Sequence, residues 1–125
     1  MSSMQYSISS ELLTWSEFGQ WSAKSGPYGL GSLPQGQYKV ERRNITPLTS
    51  KMKNGFIDKT TGKGYFVPIT PLFDALGRDG FGIHPDGGKY IGTKGCIGIT
   101  SNSSGFYQSI SSTAASSNLT LEVIN

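Results

Sequence analysis

The chain has 125 residues, 35% of them hydrophobic, 15% charged and 17 of them glycine, with a formal net charge of +3. That length suits one core rather than two, and sparse charge with abundant glycine argues against a helical bundle and for short strands joined by many turns. The surplus of basic residues is too mild for a nucleic-acid footprint, and Lys51, Lys53, Lys59 and Lys63 read as a solvated loop.

In chain order, the first ten residues hold no basic patch followed by an apolar run, so neither a secretory leader nor a membrane span is expected. Residues 5–8 and Leu12–Trp15 form a short opening hairpin. Leu33-Pro34 turns into an alternating strand over 36–41, and 65–69 reads as a strand whose Pro68 predicts an edge or a bulge. Residues 71–76, closed by Gly77, predict a helix of one or two turns. Two more strands follow at 81–84 and 96–99. A helix starting near Asn102 or Ser103 carries Phe106, Ile110 and Ala114 at four-residue spacing, and Leu119–Ile124 closes the chain as a cleanly alternating strand. Trp15, Trp21, Phe66 and Phe81 are expected in the core. The expectation is a mostly β fold with mixed or antiparallel sheets and one or two short helices, residues 1–125 forming a single domain.

The one histidine, His84, and the one cysteine, Cys96, lie twelve residues apart. They sit in Gly82-Ile83-His84-Pro85-Asp86-Gly87-Gly88 and Gly95-Cys96-Ile97-Gly98. A thiol attacks as thiolate, and a nearby imidazole is the usual device for generating one. Flanking glycines let backbone N–H groups approach a substrate closely. One cysteine excludes an internal disulfide, and His84, Cys96 and Asp86 fall short of a structural zinc set, so neither metal nor cofactor is expected. Each residue also has a plainer reading: Cys96 as a small buried hydrophobe, His84 as a hydrogen-bonded core residue, Gly95 as a tight-turn residue.

Thr93-Lys94-Gly95-Cys96-Ile97 resembles the Ser/Thr-His-Gly-Cys-Ile/Val signature of the L,D-transpeptidase (YkuD-like) family, and Phe81-Gly82-Ile83-His84 resembles its upstream Ile-His-Gly segment. Gly31-Ser32-Leu33-Pro34-Gln35-Gly36-Gln37-Tyr38, the opening Tyr6 with Leu13-Thr14-Trp15, and Arg78-Asp79-Gly80-Phe81 resemble the small L,D-transpeptidase effector domains of type VI secretion. The chain departs from the family pattern at three places. Lys94 replaces a histidine, Gly98 replaces the arginine expected to hold a substrate carboxylate, and Pro85 replaces a glycine.

The resemblance implies a peptidoglycan acyl-transferase with Cys96 as nucleophile and His84 as its base or its imidazolium partner. The Pro85 carbonyl would orient the ring, and the N–H groups of Gly95 and Cys96 would form an oxyanion hole. Tyr90 and Thr93 would line the pocket, while Arg78, Lys94 or Lys89 would bind an anion. It further implies stem tetrapeptides as substrate, L,D-carboxypeptidase action, D-amino acid exchange or cross-linking as outcomes, and no cofactor. Synthesis in the cytoplasm, delivery by a secretion machine into the periplasm of a target bacterium and a cognate immunity protein follow from the same likeness. Two alternatives stay open: a non-catalytic wall-binding or secretion-associated β module with Cys96 inert, and a Cys–His amidase cutting a different wall bond.

Overall fold

The computed structural model describes residues 2–16, 18–26, 32–41, 45–48, 64–75, 80–86, 96–112 and 119–125. Alternation of apolar and polar residues lays down the strands β1 (Ser2–Ser7), β2 (Leu12–Trp15), β3 (Gly19–Lys24), β4 (Gly36–Val40), β5 (Thr46–Leu48) and β6 (Gly64–Pro71). They are followed by β7 (Gly82–Pro85), β8 (Ile97–Ile99), the helix α1 (Ser103–Ser112) and β9 (Leu119–Ile124). The mostly β expectation therefore holds, with one short helix among the described residues.

Neighbouring strands run in the order β4-β9-β1-β2-β3-β8-β7-β6-β5, and β6 also pairs with β4, so eight strands close into a barrel-like sheet. Closure leaves few unpaired strand edges. Most pairings are antiparallel, beginning with the β1–β2 hairpin, whose register sets Met4 opposite Trp15 and Tyr6 opposite Leu13. Two are parallel: β1 with β9, and β7 with β8. A parallel pair cannot be joined by a tight turn, so β7 and β8 require the crossover between them.

The inward positions recur every second residue. Leu119, Leu121 and Val123 of β9, Tyr65, Val67 and Ile69 of β6, Trp21 and Ala23 of β3, and Ile83, Ile97 and Ile99 all enter one core. Burying each large side chain of this kind contributes about 1.5–3 kcal/mol. Tyr6 lies inside as well and donates its hydroxyl to the Ala23 carbonyl at 3.1 Å, and burial, helped by the Glu11 charge, pushes its phenol up to about 12.

Helix α1 is serine-rich, and Ser109 and Ser112 donate their hydroxyls back to the Gly105 and Ser109 carbonyls at 3.0 and 2.8 Å. Such back-bonding weakens a helix by itself, so tertiary packing holds it. Phe106 is the anchor, meeting Trp21 edge-on at 5.1 Å between ring centroids and lying within 6.3 Å of Trp15 and 6.2 Å of Tyr65. Asn102 starts the helix from a left-handed φ of 47°, a conformation asparagine tolerates better than most residues, and its carbonyl accepts from Gly105 N–H at 3.0 Å. Phe106→Ala is expected to cost about 3–5 kcal/mol of unfolding free energy, read from the urea midpoint. A loss below 1 kcal/mol (roughly the cost of an ordinary surface change) would show that the helix is not held by this ring.

Three expectations need correction. Pro68 predicts an edge or a bulge, and the edge is not found: β6 is flanked by β7 on one side and by β4 and β5 on the other. The Pro68 carbonyl accepts from Glu41 N–H at 2.9 Å, so its missing donor faces the break between β4 and β5, where no ladder bond is lost. The predicted helix over 71–76 is not formed in its described part. Pro71 pairs with Tyr38, and Leu72 N–H bonds to the Gln37 carbonyl at 2.8 Å, so strand bonds displace an isolated helical turn, which would be costly to nucleate. Phe66 is not in the core: it is half-buried on the opposite face of β6 from Tyr65 and Val67. Ala114, Gly87-Gly88 and the lysines from Lys51 to Lys63 lie outside the described residues.

Candidate active site

His84 stands third in β7. Its neighbour Ile83 fills the core, so the alternation sends the imidazole to the other face, where it is nonetheless only 2% exposed. Nδ1 lies 2.8 Å from the Pro85 carbonyl oxygen. A carbonyl can only accept, so Nδ1 carries the hydrogen, and in the neutral ring Nε2 is the basic nitrogen. Burial pulls the imidazole below its ordinary pKa, opposed more weakly by the Pro85 carbonyl and the Asp86 charge.

Cys96 is a free thiol, half-buried, immediately ahead of β8. Sγ donates to the Gly80 carbonyl at 3.6 Å. Gly80 adopts a left-handed φ of 74°, a conformation that favours glycine. Burial pushes the thiol up, and a backbone hydrogen bond from Gly82 only partly offsets this.

The parallel ladder sets Ile83 opposite Ile97 and His84 opposite Gly98, so one step earlier Cys96 lies level with Gly82. Cys96 and His84 therefore form a diagonal of the β7–β8 pair. One strand spacing of about 4.8 Å and two rises of about 3.3 Å make a Cα diagonal of about 8 Å, a span that two converging side chains can close. The other two corners are Gly98 and Gly82, which add no side chain between them. Phe66 completes the group: its ring is stacked on His84 at 6.2 Å between centroids and 13° between planes. On the far side of Gly98, β3 contributes Lys24, which forms an ion pair with Glu11 at 3.6 Å.

Both shifts point the same way. Burial disfavours the charged form of each group, thiolate and imidazolium alike. Of the two roles the sequence leaves open for His84, these directions favour the base that takes the proton during attack. Alkylation of Cys96 by iodoacetamide is accordingly expected to stay slow at neutral pH and to accelerate only in and above the ordinary thiol range, about pH 8.5. A fast, pH-independent rate from about pH 5 to 8 would mean a preformed ion pair.

Of the residues singled out from the sequence, His84 and Pro85 are joined by the ring hydrogen bond, and Cys96 stands just ahead of β8, the parallel neighbour of β7. Gly95, Arg78, Tyr90, Thr93 and Lys94, with Lys89, lie outside the described residues. Among the described residues no three His, Cys, Asp or Glu side chains gather as metal ligands, and no helix is long and apolar enough to cross a membrane. Sequence reasoning missed Phe66 and Lys24 as neighbours of the pair. The signal for Phe66 was present, because Tyr65, Val67 and Ile69 occupy the core parity and leave Phe66 on the opposite face.

A closed β sheet with parallel neighbours β7 and β8, His84 on the first and Cys96 just ahead of the second, defines a class of fold. The chain is similar to L,D-transpeptidase 1 of Mycobacterium tuberculosis, with a TM-score of 0.54 and 16% identity, over 99% of this chain and 59% of that one. The fold is that of an L,D-transpeptidase domain, and the chain spans 59% of the length of the solved protein. No protein-family model matches the sequence, and no curated protein does.

Proposed function

We propose that the chain is a cysteine-dependent peptidoglycan acyl-transferase acting on stem tetrapeptides. The observation that carries this reading is the placement of Cys96, one residue ahead of β8, diagonal to His84 on β7, with Nδ1 committed to the Pro85 carbonyl. The L,D-transpeptidase fold supports it. In the first half-reaction Sγ attacks the carbonyl carbon of the third stem residue while Nε2 of His84 takes the thiol proton. The family resemblance assigns the resulting oxyanion to the N–H groups of Cys96 and Gly95; one such donor is worth about 3–4 kcal/mol of barrier. Collapse of the tetrahedral adduct breaks the bond to the terminal D-alanine, which leaves as a free amine with the proton from His84. The thioester left on Cys96 is then resolved by water, a free D-amino acid or an amine of a neighbouring stem. These outcomes are carboxypeptidase action, exchange and cross-linking.

The same reading extends to biology. The likeness of residues 31–38 and 78–84 to small effector domains supports a toxin delivered by a secretion machine, acting in the periplasm of a target bacterium and restrained in the producer by an immunity protein. Directing the chain to the periplasm of a host bacterium is expected to deplete tetrapeptide stems and halt growth, and the Cys96→Ala chain is not.

The biochemical test is incubation with purified disaccharide-tetrapeptide and mass analysis of the products. Release of free D-alanine, or its exchange for an added D-amino acid, is expected. Separation of glycan from peptide would assign an amidase instead, and unchanged substrate would leave a binding module.

A further inference from the structure

We propose that Phe66 is the positioning residue for the His84 imidazole and that Gly82 is the residue that admits it. The hydrogen bond from Nδ1 to Pro85 fixes one atom of the ring but does not by itself set the ring plane. The Phe66 ring, 13° from parallel with the imidazole, provides a flat face that orients that plane. Continuing the β6–β7 register one step past Val67 opposite Ile83 brings Phe66 level with His84, so both rings rise from the same row of the sheet. The Phe66 ring leans over residue 82: a Cβ built on Gly82 would meet its Cζ at 2.2 Å and two further ring carbons at 2.6 and 2.7 Å. No side-chain-bearing residue fits there without driving the phenyl ring off the imidazole. The backbone of Gly82 also bonds to the Cys96 thiol. Phenyl ring, imidazole and sulfur thus converge around one glycine.

The inference rests on the acyl-transfer reading for its consequence in turnover, but its physical core concerns only two rings. Among the described residues, the charged and titratable groups around the imidazole are Asp86 just beyond Pro85, Cys96 just ahead of β8 and Lys24 across Gly98 on β3. Substituting Phe66 changes none of them.

Because His84 is the one histidine, its imidazole signals in an NMR titration of the whole chain need no assignment. Phe66→Leu removes the flat face while keeping an apolar side chain. It is expected to admit water beside the ring, raise the His84 pKa toward the ordinary value of about 6.5, and lower kcat for D-alanine release roughly ten- to a hundredfold with KM unchanged. Phe66→Tyr keeps the ring and is expected to retain both the wild-type titration and the wild-type kcat. A folded Phe66→Leu chain with an unaltered titration overturns the proposal. So does a rise in KM alone, which would make Phe66 a substrate contact, or loss of turnover in Phe66→Tyr with a normal titration. If Phe66→Leu does not fold, Phe66→Met must show the same raised pKa and lowered kcat, or the proposal fails. If the wild-type chain releases no D-alanine, the titration alone decides the ring-positioning claim, and the acyl-transfer reading falls separately.

Discussion

Cys96→Ala is expected to leave a folded protein with no measurable acyl transfer, a loss on the order of 10⁴-fold or more in kcat. In the proposed reaction Sγ forms the new bond, and no second thiol exists in the chain to replace it. The structural cost is small by comparison. Cys96 is half-buried and stands outside the core cluster, and its sulfur makes a weak 3.6 Å hydrogen bond to Gly80. Truncation to a methyl group is therefore expected to change stability by no more than about 1 kcal/mol. Cys96→Ser keeps the shape and is expected to be equally inactive, because a neutral buried imidazole is too weak a base for an alcohol without further support. Wild-type turnover in Cys96→Ala, measured as D-alanine released, would remove the thiol from the chemistry.

His84→Gln is expected to lower kcat by about 10²- to 10⁴-fold, the usual worth of one acid–base group. The amide keeps much of the imidazole's bulk in a site only 2% exposed and can still donate to the Pro85 carbonyl, but it cannot take the thiol proton. The same substitution has a second readout in stability. The folded chain holds the imidazole neutral below its ordinary pKa, so as pH falls below about 6.5 the unfolded chain binds the proton first and wild-type stability declines. His84→Gln lacks that titration, so its stability is expected to fall less steeply over this window. Equal slopes for the two proteins in urea midpoints between about pH 6.5 and 5 would show that the imidazole is not held neutral.

Local signals carried much of this architecture. The hairpin of β1 and β2, the strand β4 and the closing strand β9 are legible because one residue parity is apolar and the other polar, so burial of one face dictates them. Helix α1 is legible from Phe106 and Ile110 on one face. The strand β3 was missed although Trp21 and Ala23 alternate, because polar residues fill the remaining positions. The short β5, Thr46-Pro47-Leu48, has too few residues to show a period and exists through its pairing with β6.

Pairing is where local reading ends. Nothing in 82–99 announces that β7 and β8 run parallel, yet that choice sets Cys96 level with Gly82 and makes the diagonal with His84. The pair itself was visible from the solitary histidine and cysteine with glycines beside them. Phe66 was assigned to the core by residue type, and only the parity of its strand neighbours puts it beside the imidazole.

The thioester is the intermediate on which the whole account turns, and intact-protein mass analysis can capture it. Acid quenching of the wild-type chain during turnover of a stem tetrapeptide is expected to show a covalent adduct of the substrate minus one alanine, mapping to the peptide that contains Cys96 and discharged by hydroxylamine. An adduct on any other residue, or active turnover in which Cys96 stays unmodified under every quench time, would contradict it.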